Sequence, residues 1–320
     1  MKKYLLIAGS FITFVSASTQ INHTIIFTKT EKDVIPEGIT IDPAKGKIYV
    51  SSIAHKKIIT IDTNGMNEDL ITPNQDGFLE GLGMKIDPKK NWLWAVSNEK
   101  QDEWFISKVH AFDLTTHSVK QQYVIKDTTR HLWNDLILHP NGRIYITDTY
   151  GSSIYEVDPA KQKLNIFLQD SLIAWPNGIC FDPKGKIYIA TYSHGLMQLD
   201  LPTKKLSPLK GYADSVKAYN LDGLVYWKNT IIGVYNSAAD NKDNAIMQYS
   251  LNDAGDKIIS ERTIDKGNEL FHEPTTAALL GNKLYVVANS YLTSYNANHE
   301  SVKGIEDKLG PVTVIVYDLK

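Results

Sequence analysis

The sequence contains a single cysteine, Cys180, in 320 residues. A lone cysteine excludes an intramolecular disulfide and any metal cluster built from several thiolates. Basic and acidic residues nearly balance, at 34 and 36, so the chain lacks the bulk positive charge that would hold nucleic acid. Hydrophobic residues make up 42% of the chain, which excludes a disordered protein. We therefore expect a globular protein with no nucleic-acid partner.

Long apolar runs are absent, apart from one at the start of the chain. Two lysines precede an apolar run over residues 4–15, and small residues follow up to Ala17. This layout is typical of a secretory signal peptide, and the run is shorter than a membrane span requires. We expect residues 1–17 to be removed on export. Residues 18–320 would then form one monomeric domain in the periplasm or outside the cell, without a membrane span.

Long helical periodicity is also absent, and a repeated phrase is present instead. The phrase is an acidic or amide residue, usually followed by glycine, then alternating apolar residues, Asp-Pro or His-Pro, a turn and a β-rich run. Its six copies open at Glu37, Glu80, Asn134, Asn177, Asp222 and Glu273. Each unit has room for four short strands, and repeats of about 40–50 residues with four strands are typical of propeller blades. The sequence predicts an all-β fold, a six-bladed β-propeller with four-stranded blades.

Both ends of the chain after the leader are rich in β-branched residues. These segments are residues 23–27 and residues 312–317. A closed array of strands must cover its exposed edges. We therefore expect the two termini to pair within one blade.

The six residues that open the repeats all carry a carboxylate or a carboxamide. The first strand of a propeller blade is innermost, so the pattern predicts one ring of oxygen donors at an end of the central channel. Calcium binds six to eight oxygen ligands, and no cluster of histidine and cysteine favours zinc. Shared turn chemistry is the alternative, because Asp, Asn and Gly often begin strands. We expect a site for Ca²⁺, with another divalent cation as the alternative.

Charge divides this ring into two groups. Glu37 and Asp222, with two neutral asparagines, supply a charge that balances one divalent cation. Glu80 and Glu273 would double that charge, and close carboxylates without a cation repel each other or become protonated. We therefore expect Glu80 and Glu273 to lie outside the metal ligands, to face the substrate, or to pair with nearby His131 or His272.

Four motifs resemble those of the senescence-marker-protein/gluconolactonase family of six-bladed propellers: Pro36-Glu37-Gly38, Trp133-Asn134-Asp135, Pro176-Asn177-Gly178 and Leu221-Asp222-Gly223. The site of that family is similar to those of squid-type phosphofluoridases and paraoxonases. The resemblance covers nearly all of the chain after the leader. It implies a small-molecule substrate and a calcium-dependent hydrolase of lactones or related esters, with the metal held by Glu37, Asn134, Asn177 and Asp222.

Among these residues, Asp222 and Glu37 are the candidate catalytic carboxylates. Asp222 would act as general base or nucleophile, and metal ligation alone is the alternative. A serine hydrolase is disfavoured because the sequence has no Gly-x-Ser-x-Gly motif.

Further polar residues are expected to approach the same mouth of the channel. The predicted substrate-binding residues are Glu80, His131, Asp148, His194, His272 and Glu273. A surface role is the alternative for the histidines, and an Asx turn is the alternative for Asp148. Two other functions remain open, a non-catalytic binding propeller of the NHL kind and a phosphotriester hydrolase.

Overall fold

The computed structural model describes residues 21–211, 219–237 and 241–320. The signal peptide predicted for residues 1–17 lies outside the described residues. Within the described chain, no helix is both long and apolar enough to cross a membrane. Among the described residues, the short helical segments include the α-helix α1 (Leu292–Ala297) and 3-10 helices at Gln75–Gly77, Ser171–Ile173, Asn241–Asp243 and Glu306–Lys308.

The described strands form six antiparallel sheets of four strands each. Blade 1 consists of β2 (Pro36–Ile41), β3 (Ile48–Ser52), β4 (Ile58–Ile61) and β5 (Asn67–Ile71). Blade 2 consists of β6 (Glu80–Asp87), β7 (Trp92–Gln101), β8 (Trp104–Asp113) and β9 (Val119–Asp127). Blade 3 consists of β10 (Trp133–Leu138), β11 (Ile144–Asp148), β12 (Ser153–Asp158) and β13 (Lys163–Gln169). Blade 4 consists of β14 (Pro176–Phe181), β15 (Ile187–Thr191), β16 (Gly195–Asp200) and β17 (Lys205–Pro208). Blade 5 consists of β18 (Leu221–Trp227), β19 (Thr230–Tyr235), β20 (Ala245–Leu251) and β21 (Ile258–Lys266). Blade 6 consists of β22 (Ala277–Leu280), β23 (Lys283–Val287), β24 (Thr313–Asp318) and β1 (His23–Phe27). The predicted six-bladed propeller is confirmed.

The first strand of every blade faces the centre of the molecule. Each of these strands contacts the first strand of the next blade, and β22 of blade 6 contacts β2 of blade 1. The circle is completed by the two termini, because β1 pairs with β24 from His23–Tyr317 to Phe27–Thr313. The predicted pairing of the ends in one blade is confirmed.

The hydrophobic core lies between neighbouring blades rather than at the centre of the circle. Six clusters of buried side chains fill the six gaps between adjacent blades. Between blades 3 and 4, for example, Ile137 and Ile154 pack with Ile187 and Met197. The strands bury side chains on both faces, which explains their near-continuous apolar runs.

Glycines let the inner strands approach each other closely. A Cβ atom on Gly38 would lie 2.0 Å from the carbonyl oxygen of Leu82, and one on Gly178 would lie 2.3 Å from that of Asp222. No side chain fits at such distances, so glycine is required at both positions. This close contact fixes the residues that precede these glycines at the wall of the channel.

Candidate functional site

A shift in strand register marks the same position in blades 1 to 5. The two inner strands of each blade pair regularly from the residues Ile39, Met84, Leu136, Ile179 and Leu224 onward, and the register shifts just before them. In blade 6, Ala277 pairs with Val286 at the equivalent place. In each of the six blades, the residue two positions before this first regularly paired residue is therefore equivalent. These six residues form the ring Glu37, Leu82, Asn134, Asn177, Asp222 and Thr275.

The prediction that Glu80 and Glu273 belong to this ring is wrong. Glu80 pairs with Asn98 before the register shift, two residues ahead of the ring position that Leu82 holds. Glu273 likewise precedes Thr275 by two residues. Four of the six ring residues therefore carry strong oxygen donors, and these are the four that charge balance and the family resemblance single out.

A cavity of about 850 Å³ opens above the ring. Glu37, Asn134, Asn177 and Asp222 all line it, and each is at most 8% exposed. The same four side chains also line a small cleft beneath the cavity, together with Gly38, Gly83 and Gly223. The ring is thus the floor of the cavity, where bound molecules would be shielded from water.

Hydrogen bonds orient the two carboxamides of the ring. The Nδ2 atom of Asn134 donates to Thr149 Oγ1 at 3.1 Å, and that hydroxyl donates to the Pro176 carbonyl at 2.7 Å. The Nδ2 atom of Asn177 donates to the hydroxyl of Tyr192 at 3.2 Å. With their NH₂ groups committed in this way, both asparagines keep their Oδ1 atoms as acceptors, the atoms that ligate cations.

Glu37 is a buried carboxylate with an unsatisfied oxygen. Its Oε2 atom has no hydrogen-bond partner among the described residues. Burial raises the pKa of Glu37 to about 7, although Thr275 lowers it, and the charge of Asp135 raises it further. An unpartnered, desolvated carboxylate is costly to bury alone, and a cation beside it would remove that cost.

Asp222 is subject to the same constraint. Burial raises the pKa of Asp222 well above its usual range, and the negative charge of Glu37 raises it further. Hydrogen bonds from Asn236 and Asn177 act in the opposite direction. Since each carboxylate disfavours ionisation of the other, the pair binds a proton readily without a cation and is ionised with one.

The donor set of the ring fits a hard divalent cation. Two carboxylates and two carboxamides offer only oxygen, and calcium accepts irregular arrangements of such ligands. Within the parts of the chain that the structure describes, no group of three or more His, Cys, Asp or Glu side chains is placed to hold a metal. The ring is a different kind of set, because half of its donors are asparagines.

Asp135 is a buried acid that the sequence analysis did not single out. It occupies the position that glycine holds in blades 1, 2, 4 and 5, and its Oδ1 atom accepts from Lys85 Nζ at 3.1 Å. Its Oδ2 atom accepts from the backbone of Ile179 at 3.4 Å. Asp135 thus ties three inner strands together beneath the ring and adds negative charge below Glu37. The departure from glycine in the third repeat was the available signal.

Glu80 and Glu273 line the upper wall of the cavity. Burial raises the pKa of Glu80 to about 7, and the charge of Glu300 raises it further while Lys56 opposes the shift. Glu273 accepts hydrogen bonds from the backbone and the hydroxyl of Thr293, in helix α1. Both residues therefore lie at the cavity wall, outside the ring.

Of the remaining predicted substrate-binding residues, none lines the cavity. Asp148 is fully buried and accepts from His131 Nδ1 at 2.5 Å and from the backbone of Leu132 and Gly151. His194 is exposed and contacts Ser193, while the exposed His272 stacks on Tyr291 with ring centroids 5.2 Å apart. In this structure these four residues support or flank the loops around the mouth.

Other residues that line the cavity come from loops. Arg130, Tyr150 and Trp175 form one side, and Leu292 and Tyr295 of helix α1 form part of another. Trp175 directly precedes the Pro176-Asn177 motif, and this position is the feature of the sequence that could have placed it at the cavity wall. Arg130 and Tyr150 gave no signal in the repeats, because the loops that carry them differ between blades.

Residues 35–232 match the family described as "SMP-30/Gluconolactonase/LRE-like region". The match covers more than half of the chain, and the chain belongs to this family. No curated protein matches the chain.

Solved structures confirm the fold at low identity. A calcium-binding regucalcin from Agrobacterium tumefaciens is 20% identical, with a TM-score of 0.58, over 91% of this chain and 93% of its own. A virginiamycin B lyase from Staphylococcus aureus is 16% identical, with a TM-score of 0.59, over 84% and 82%. A gluconolactonase from Xanthomonas campestris is 12% identical, with a TM-score of 0.57, over 88% and 85%. These proteins differ in function, so the likeness shows the fold alone.

Proposed function

We propose that this protein is a metal-dependent hydrolase of lactones or related esters. The observation that carries the proposal is the ring of Glu37, Asn134, Asn177 and Asp222 at the floor of the cavity. Membership of the gluconolactonase-like family supports a lactonase-like hydrolase, and the oxygen-only donor set favours calcium as the cation.

The four ring side chains would hold the cation, which leaves the space above them for substrate. When bound, Ca²⁺ supplies a Lewis acid that polarises the carbonyl of the substrate and stabilises the negative charge that develops on its oxygen. The orphaned Oε2 atom of Glu37 is the strongest sign that a positive group belongs here. A carboxylate in a dry site prefers such a partner over isolation.

We propose that Asp222 acts as the base. Its carboxylate would take a proton from a water molecule as the water oxygen bonds to the lactone carbonyl carbon. The ring C–O bond then breaks, and the leaving alkoxide takes the proton that Asp222 holds, which gives the hydroxy acid and returns Asp222 to its ionised form. Glu37 lies at the equivalent position in blade 1. We propose that its negative charge helps to hold the cation in the position that the reaction requires. Tyr192 would keep Asn177 in place, and Asn236 would keep Asp222 in place.

A lactone and ester panel tests the proposal. Purified protein is stripped with a chelator and assayed against sugar lactones, aryl esters and phosphotriesters, before and after calcium is restored. We expect lactone turnover that requires calcium and falls at least a hundredfold in Asp222→Asn, since a lost catalytic base typically costs 10²–10⁴ in rate. Asp148→Asn is not a suitable control because it breaks a buried network, so His194→Gln is used.

Two outcomes would contradict this function. Turnover of phosphotriesters but not of lactones would assign the ring to phosphoryl chemistry. Calcium binding without turnover of any compound would favour a non-catalytic binding propeller.

We further propose that the chain is exported. Mass spectrometry of the mature protein tests this proposal, because the mature chain should begin at Ser18.

A further inference from the structure

Arg130 differs from the other arginines of the chain. The sequence has three arginines, and two of them have polar partners: Arg143 pairs with Glu156 at 2.8 Å, and Arg262 donates to Gln248 Oε1 at 2.6 Å. Arg130 forms no ion pair and no side-chain hydrogen bond with any described residue. Its guanidinium lies over the ring of Tyr150, 3.6 Å from the ring centroid, at the wall of the cavity.

The segment that carries Arg130 is held firmly on its C-terminal side. His131 is bracketed by Asp148 Oδ2 at 2.5 Å and Asp127 Oδ2 at 3.1 Å. The next residue, Leu132, donates to Asp148 Oδ1 at 3.0 Å and accepts from the backbone of Thr149 at 2.9 Å. Arg130 therefore lies on an anchored segment and has no acidic partner among the described residues. Little conformational entropy of this segment would be lost when Arg130 binds a ligand.

Aromatic rings extend this wall. Tyr150 meets Trp175 edge to face, with ring centroids 5.6 Å apart. Trp175 is 51% exposed, which is unusual for so large an apolar side chain. The wall therefore combines the planar guanidinium of Arg130 with the aromatic side chains of Tyr150 and Trp175. A small ring that bears a negative group is complementary to this wall.

The charge of the rest of the cavity limits the size of that negative charge. The other charged residues that line the described cavity are all acids, Glu37, Glu80, Asp222, Glu273 and Glu300, and a bound Ca²⁺ would balance only Glu37 and Asp222. A phosphate carries nearly two negative charges at neutral pH, and a carboxylate carries one. Repulsion by the acids therefore disfavours phosphate more strongly than it disfavours a carboxylate.

We propose that Arg130 is a specificity-determining residue that binds a carboxylate substituent of the substrate, while Tyr150 and Trp175 contact the substrate ring. The inference rests on the proposed function, since it narrows the substrates to lactones or esters that also carry a carboxylate. The planar guanidinium can donate two parallel hydrogen bonds to the two carboxylate oxygens.

Binding of inert ring compounds tests this site without any turnover. The probes are tetrahydrofuran-2-carboxylate and its neutral carboxamide, which lack the lactone carbonyl, and binding to calcium-loaded protein is followed by tryptophan fluorescence. We expect the carboxylate to bind about fivefold more tightly than the amide, as befits a charge pair open to solvent. Arg130→Gln should remove this preference, and Arg130→Lys should retain part of it.

Lys126→Gln is the matched control. It removes one positive charge from the adjacent strand β9, where Lys126 lies over Trp104 and not at the cavity. We expect it to leave the preference unchanged. A preference that persists in Arg130→Gln would show that the cation or another group holds the carboxylate, and the inference would be overturned. Tighter, Arg130-dependent binding of tetrahydrofurfuryl phosphate would overturn the choice of carboxylate.

A kinetic comparison separates this inference from the proposed function. For a γ-lactone that bears a carboxylate, Arg130→Gln should raise KM about fivefold with little change in kcat, because the contact is equally strong before and during the reaction. The methyl ester of the same lactone should show no change in KM. If no lactone is hydrolysed while the probes still depend on Arg130, the hydrolase proposal fails and the carboxylate site stands.

Discussion

At the scale of single residues, the feature that organises the site is a pair of buried acids. Glu37 and Asp222 come from blades 1 and 5, and each raises the cost of ionising the other. Asp135 adds a third negative charge beneath them. Such a concentration of buried negative charge is stable only with protons or with a cation. Proton binding and cation binding at this ring are therefore alternatives.

This competition predicts how pH affects calcium binding. The pKa of Glu37 is raised to about 7 in the metal-free protein, so the carboxylate that binds calcium predominates above that pH and the protonated acid below it. Calcium must displace the proton at low pH, and so we expect apparent affinity to fall at least tenfold from pH 8 to pH 6. Calorimetric titrations at both pH values, in two buffers of different ionisation enthalpy, measure the affinity and the protons released. Equal affinities without proton release would contradict the prediction.

A second prediction distinguishes the ring from the acids above it. Glu37→Gln removes a direct anionic ligand, and we expect calcium affinity to fall by a factor of about a hundred, the loss that follows when a buried charged partner is removed. Glu80→Gln deletes an equal charge two residues outside the ring register and should weaken binding by less than tenfold, because its effect acts only at a distance. Calcium titration of both variants at one ionic strength measures the difference. Equal losses would mean that the cation lies higher in the cavity, beside Glu80.

At the scale of secondary-structure elements, the register shift in the inner strands decides which side chains reach the channel. The repeats placed every blade and identified Glu37, Asn134, Asn177 and Asp222. They misplaced Glu80, because the Glu80-Gly81 pair imitates the Glu37-Gly38 pair while a second glycine, Gly83, holds the equivalent position. A two-residue shift of this kind changes no hydrophobic pattern, since strand side chains alternate with a period of two. Only the pairing of the strands reveals it.

The walls of the cavity were predictable to a smaller extent than its floor. The floor is formed by the inner strands of the blades, and the arrangement of these strands repeats in all six blades. Arg130, Tyr150 and helix α1 lie on connections whose lengths and sequences differ from blade to blade. Their convergence depends on tertiary contacts, such as the bracket around His131, that no local pattern encodes.

The close approach of the inner strands supports a prediction at this scale. A methyl group on Gly38 would meet the backbone carbonyl of Leu82 at 2.0 Å, and that carbonyl belongs to a neighbouring strand that cannot move aside freely. We expect Gly38→Ala to lower the free energy of unfolding by about 3 kcal/mol, at the upper end for an overpacked site. Gly310→Ala is the control, because its nearest neighbour is the hydroxyl end of the Tyr291 side chain, at 3.0 Å.

Urea denaturation of the two variants measures this difference. Since Gly38 follows Glu37 directly, calcium affinity should fall along with stability in Gly38→Ala and stay unchanged in Gly310→Ala. If Gly38→Ala were as stable as the control, the inner strands of blades 1 and 2 would have room that the structure does not show.

At the scale of the whole molecule, the circle of blades is what brings ring residues that are distant in the sequence to one place. Glu37 and Asp222 belong to blades 1 and 5, and blade 6 lies between them. That blade is assembled from both ends of the chain, since its outermost strand is β1 and its other strands come from the C-terminal part. The site therefore depends on a strand pairing that links residues almost 300 positions apart.

Removal of the N-terminal strand tests this dependence. A chain that begins at Thr28 lacks β1, which leaves the long edge of β24 unpaired and uncovers core residues that Ile26 packs against. We expect its thermal unfolding midpoint to fall by more than 5 °C and its tendency to aggregate to rise, because an exposed strand edge pairs readily with other chains. A chain that begins at Ser18 is the control. A synthetic peptide of residues 18–27 should restore the midpoint in part by strand addition, and calcium affinity should recover with it. Equal midpoints for the two chains would show that the circle is closed by the contacts of β22 with β2 alone, and the pairing of the termini would then contribute nothing to the site.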